Sequence, residues 1–178
     1  MNAIGLRIAL GNESDLITPT STQSYPLGGI VDVEDSSKKS IKKYMYVKSH
    51  DTLSANGIYI LSFSGTSGSE VKTALSTDTS ADKGTTYYNL PCVAEVAVTS
   101  GYYCFVCIQG TTTVSTAGSV TDQHACKLGD AVATVTTEGA TTVTAYTVGI
   151  NRATRTNAGT TAFELIGNDK WALQYTAP

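Results

Sequence analysis

Residues Ile4, Leu6, Ile8 and Leu10 alternate with Gly5, Arg7 and Ala9. A period of two places every second side chain on one face of an extended chain, which predicts a strand with one apolar face. Residues 11–29 break the pattern with Pro19, Pro26 and many polar positions, and carry only scattered apolar groups: Leu16, Ile17, Tyr25 and Leu27. Long segments without structure of their own are unusual inside a compact domain. Residues 1–29 therefore read as an extended N-terminal arm that orders against a partner, and residues 30–178 as a β-domain. From Gly29 onward short apolar runs recur between turn residues. Ile30–Val33 and Ile41–Lys48 predict a hairpin across the polar stretch 35–38. Gly57–Phe63, Val93–Val98, Tyr102–Gln109, Thr111–Ser115, Ala131–Thr136 and Thr142–Ile150 predict further strands. Gly110 marks a turn between two of them. Thr161–Ile166 and Trp171–Tyr175 predict a last hairpin across Gly167-Asn168-Asp169. One stretch has helical features: Ser67 and Glu70 stand at capping-box spacing ahead of Val71, Ala74 and Leu75. Short strands at regular intervals with at most one short helix predict an all-β fold, an antiparallel β-sandwich or β-barrel.

Composition sharpens this picture. The 178 residues include 28 Thr and 17 Ser, while only 15% are charged. Threonine at this density favours strands, because its branched β-carbon stiffens the side chain and suits a pleated surface. A hydrophobic fraction of 41% is too high for a disordered chain. The net charge of -3 speaks against a nucleic-acid partner, which needs counter-charge to phosphate. No apolar run is long enough for a membrane-spanning helix. Arg7 lies inside the first apolar stretch, so a secretory signal is not expected.

Candidate chemistry is sparse. Cys104 and Cys107 have C-x-x-C spacing, but they sit in the strand-like run Gly101–Gly110. Residues three apart on a strand face opposite sides and lie about 10 Å apart, beyond disulfide reach. With Cys92, Cys126 and His124 they make a weak metal set, so buried apolar thiols are the expected role. A Cys92–Cys104 or Cys104–Cys126 bridge stays open. Gly65-Thr66-Ser67-Gly68-Ser69 fails the serine-elbow pattern, and neither a Walker loop nor a dinucleotide fingerprint occurs. Asp32, Glu34 and Asp35 lack the spacing of a calcium loop. The expectation is a protein without catalytic residues, metal or cofactor. Lys38, Lys39, Lys42 and Lys43 crowd a third of the 12 basic residues into six positions beside Tyr44 and Tyr46. Such a patch suits either an acidic partner or a solvated hairpin edge.

The order of motifs carries further information. Tyr25-Pro26-Leu27-Gly28 leads into a hairpin whose return strand is Tyr44-Met45-Tyr46-Val47-Lys48. Gly101-Tyr102-Tyr103-Cys104-Phe105-Val106-Cys107-Ile108-Gln109-Gly110 follows, then Leu128-Gly129-Asp130, and finally Val148-Gly149-Ile150 with Ala153. This series, spanning residues 25 to about 166, resembles the head decoration, or cement, proteins of tailed bacteriophages. The chain departs from their pattern at Phe105, where Trp is common, at Cys107, where Gln is common, and in the residues between Gly149 and Ala153. The resemblance implies a β-rich, non-enzymatic subunit made in the host cytoplasm and placed on the outer surface of an icosahedral head. It implies the major capsid protein and its own copies, as a homotrimer, for partners. The residues expected to bind them are Leu6, Ile8 and Leu10 of the arm, which would add a strand to a neighbour, with Tyr25, Lys42, Lys43, Tyr44 and Tyr46. The alternative of another class is a carbohydrate- or receptor-binding β-module of a phage fibre or adhesin, with Trp171 in a sugar platform.

Overall fold

The computed structural model describes residue 10 and residues 13–35, 40–49, 51–63, 71–73, 90–128, 133–137 and 147–165. After one 3-10 turn, Glu13–Leu16, the described elements are strands: β1 Ile30–Asp35, β2 Ser40–Lys48, β3 Gly57–Phe63, β4 Val71–Thr73, β5 Leu90–Ala94, β6 Tyr103–Thr116, β7 Ala125–Leu128, β8 Val135–Thr137, β9 Thr147–Asn151 and β10 Gly159–Leu165. The fold is all-β, as the alternation and the threonine content predict. None of these elements is a helix long and apolar enough to cross a membrane.

The pairings close on themselves twice. β2 pairs with β4, β4 with β3, β3 with β5, β5 with β6, and β6 with β2 again. On the other side β6 pairs with β10, β10 with β9, β9 with β7, β7 with β8, and β8 with β6 again. The result is two five-stranded barrels that share one long strand. Closure removes the open edges of these nine strands, while β1 stays outside both circuits, paired along β2. The shared strand divides at its middle. Residues 103–109 pair with β2, and residues 110–116 pair with β10.

Burial along β6 follows this division. Cys104 to Ile108 are buried without interruption, whereas from Thr112 to Thr116 every second residue is buried. The first half has apolar neighbours on both faces. Cys104, Val106 and Ile108 join Met45, Val47, Tyr59, Leu61, Cys92 and Ala94 in one cluster, which fills the first barrel. Phe105 and Cys107 point the other way, with Tyr44, Tyr46, Ile58 and Val93, into a second cluster. That cluster continues through Val114, Cys126, Leu128, Val135, Val148, Phe163 and Leu165, the interior of the second barrel. Backbone bonds tie the barrels together, from Ser115 N to Asn56 O at 2.8 Å and from Ile58 N to Ala133 O at 3.2 Å.

Several elements differ from the sequence expectations. Gly110 is no turn: it lies within β6 at φ +106. Only glycine takes up that backbone geometry without strain, so the strand bends there instead of ending. Within the expected helix, Val71–Thr73 form β4. A short isolated helix is marginal in water, whereas a strand here satisfies the edges of both β2 and β3 and closes the first barrel. β5 begins and ends earlier than expected, at Leu90 and Ala94. β7 was hidden by its polar flanks, and β10 pairs with β6 and β9. The expected strand at 171–175 lies outside the described residues, and of the expected strand at 4–10 only Leu10 is described, in no strand.

A β-carbon at position 110 would come within 3.0 Å of the Ile41 carbonyl and 3.1 Å of the Lys42 Cα. Gly110→Ala therefore meets both an unfavourable φ and a backbone clash. It is expected to lower unfolding free energy by about 1–3 kcal/mol, read as a reduced urea midpoint.

Candidate functional site

The outward face of the first barrel carries Tyr46, Phe105 and Tyr103, and residues 13–29 lie across it as a strap. The strap is fixed by its backbone. Thr20 and Tyr103 exchange hydrogen bonds of 2.9 and 2.8 Å. Gly28 N donates to Tyr46 O at 2.8 Å, and Tyr46 N donates to Gly29 O at 2.9 Å. Gly28 makes this approach at φ +79, a conformation that glycine adopts freely. Aromatic contacts complete the attachment. Tyr25 meets Tyr46 edge-on, with centroids 5.3 Å apart, and lies 5.4 Å from Phe105. Tyr46 stands 4.9 Å from Phe105 and stacks at 6.2 Å on Tyr103, over which the Lys48 ammonium sits. Ser24 N donates to the Tyr46 hydroxyl at 3.0 Å, and the Tyr25 hydroxyl donates to Asp15. Leu10, Leu16 and Leu27 pack, half-buried, against the same cluster.

A second polar assembly sits where β5 ends. Glu95 accepts hydrogen bonds from Thr112 Oγ1 at 2.6 Å, Tyr44 Oη at 2.7 Å and Lys42 Nζ at 3.0 Å. These partners come from β2 and from the second half of β6, so one carboxylate joins the walls of both barrels. Burial pulls the Glu95 pKa upward. The hydrogen bonds from Thr112, Tyr44 and Lys42 and the Lys42 charge outweigh it, and the pKa lies below the ordinary value.

The residues expected to bind partners thus have diverse places. Leu6, Ile8, Lys38 and Lys39 lie outside the described residues. Leu10 and Tyr25 rest on the chain's own sheet. Tyr44 and Tyr46, 6% and 3% exposed, are covered by the chain's own residues. Lys42 is engaged with Glu95. Lys43 lies opposite Asp32 in the hairpin register. Glu95 escaped the sequence reading. Its one signal is a lone charge inside the apolar run Val93-Ala94-Glu95-Val96, a position that demands a buried partner.

The four cysteines are buried thiols outside any disulfide. Cys104 faces the first barrel's interior and Cys107 the opposite cluster, as strand alternation requires. Cys92 and Cys104 share the first interior without a bridge, and Cys126 lies in the other cluster. Burial pushes the Cys104 and Cys107 thiols up to about 12 and raises Cys92 as well. Such thiols are poor nucleophiles and poor metal ligands at neutral pH. Among the described residues, no three His, Cys, Asp or Glu side chains are grouped to hold a metal.

Two outcomes are expected. Because the folded Glu95 pKa is depressed, its contribution to stability is fully present above the unfolded value of about 4.3. It is lost as pH falls through the folded value. Urea unfolding across this acid range should show a steeper loss for the wild type than for Glu95→Gln, and the variant should be less stable at pH 7. In thiol titration, Cys92, Cys104, Cys107 and Cys126 should resist an aromatic disulfide reagent in the native state and react on denaturation.

No family model matches the sequence, and no curated protein matches it. Among solved structures, the chain is similar to the N base of head fiber gp8.5 of bacteriophage phi29, with 12% identity and a TM-score of 0.47, covering 69% of this chain and 92% of that one. No residue, role or partner is carried over from a likeness of this extent.

Proposed function

We propose that the chain is a non-enzymatic structural protein of a phage virion, a cement subunit on the outer surface of an icosahedral head. It acts as a homotrimer seated on the major capsid protein and stiffens the shell. The observation that supports this reading is the meeting of the motifs on which the cement resemblance rests. Tyr25–Gly28 lies on Tyr46, and Tyr46 is paired with Phe105 of the aromatic strand. In the Val148-Gly149-Ile150 motif, a β-carbon at Gly149 would overlap the Phe163 ring and the Glu164 carbonyl. These short motifs therefore build the fold, which is what kinship in architecture and role requires. Two closed barrels tied together by backbone bonds make a stiff body, and a stiff body transmits load between the capsid subunits it bridges.

The test is sedimentation of the purified protein with assembled heads made from the major capsid protein of the same genome. Saturable binding at a fixed ratio, absent with unassembled capsid protein, is expected, together with a higher disruption temperature of the decorated heads. Failure to bind heads, or binding of glycan by the isolated protein in place of heads, overturns the reading.

A further inference from the structure

Residues Arg152 to Ala158 are seven consecutive exposed positions. An exposed loop of this length ordinarily samples many conformations, yet this one is pinned at each end and in the middle. Asn151, fully buried, is the first anchor. Its side-chain amide donates to the carbonyls of Thr121, at 3.0 Å, and Ala153, and its Oδ1 accepts from Thr161 Oγ1 at 3.0 Å. Arg155 is the second anchor: it and Val120 exchange backbone hydrogen bonds of 2.8 and 2.7 Å. Asp122 N donates to Thr154 Oγ1 at 3.1 Å. Arg152 is held by Glu164 through two guanidinium nitrogens.

The two arginines differ in what they have left to offer. Arg152 is spent on Glu164. The Arg155 guanidinium has no hydrogen-bond or ion-pair partner among the described residues. It lies over the backbone of Gly159, where a β-carbon would fall 2.6 Å from Cζ. Gly159 stands at φ +154, a backbone geometry that favours glycine. The loop contains no carboxylate, and its remaining polar groups are Thr154, Thr156 and Asn157, which hydrogen-bond without charge. An exposed planar fork of donors on a pinned backbone, without a partner among the described residues, is suited to bidentate recognition of a carboxylate. Because its backbone is already fixed, little ordering entropy opposes binding.

We propose that the Arg152–Ala158 loop is a docking loop whose Arg155 engages an acidic side chain on the surface of the assembled head. This rests on the cement reading and names the contact that would serve it. Arginine anchors of this kind carry a large share of interface energy, and their truncation costs roughly thirtyfold or more in affinity.

The experiment compares head binding of the wild type, Arg155→Ala, Arg155→Gln and Arg155→Lys at low and moderate salt, with thermal melting of each as a check on folding. Arg155→Ala and Arg155→Gln should melt as the wild type does, bind heads roughly thirtyfold more weakly and lose most of the salt dependence. Arg155→Lys, a point charge without the fork, should recover only part. Wild-type affinity in the Ala and Gln variants overturns the docking loop and leaves the cement reading standing. Full recovery by lysine overturns the bidentate contact. A wild-type protein that does not bind heads overturns both.

Discussion

One strand in the walls of two barrels is the constraint on which the rest of this structure depends. β6 is paired over its fourteen residues while its main neighbour changes halfway from β2 to β10, and it also meets β5 at Cys107 and β8 at Thr116. Its composition answers each demand. The first half is a continuous apolar run, because its two faces meet two different clusters. The second half alternates, because only the barrel side is buried. Gly110 joins the halves at a φ no other residue adopts freely. Pairing with β2 also slips in register at Lys43/Tyr44, which absorbs the bend on the neighbouring strand.

The same constraint explains the strap and the half-buried carboxylate. A barrel strand with apolar side chains on its outer face needs cover, and residues 13–29 supply it for Tyr46, Phe105 and Tyr103. Where β5 leaves the sheet, Glu95 reaches from one barrel wall to the other, and three donors compensate its desolvation. Tyrosines that suggest an interface in the sequence are thereby used within the chain.

Much of the fold was legible in the sequence. The first hairpin, β3, the first half of β6 and the opposite facing of Cys104 and Cys107 follow from alternation alone. Two local signals misled. A capping-box pattern preceded residues that form β4, and glycine at 110 suggested a turn. In both places a non-local pairing outweighed a local preference worth about 1 kcal/mol. The functional side chains were less legible. Lys42, Tyr44 and Tyr46 stood out by composition, while Glu95 and Arg155 gave almost no local signal, because what distinguishes them is which distant residues they meet or fail to meet.

By itself the sequence determined that the chain is all-β, poor in charge, and built from strands whose faces can be assigned from period-two alternation and β-branched content. These are local properties, since each residue's face is set by its neighbours along the strand. Only the tertiary structure decided that the strands close into two barrels, that one strand serves both, that the arm's later residues cover the chain's own aromatic face, and that Arg155, on a pinned loop, finds no side-chain partner among the described residues. Closure and pairing depend on contacts between residues far apart in the chain, and alternation fixes a strand's faces without naming its neighbours.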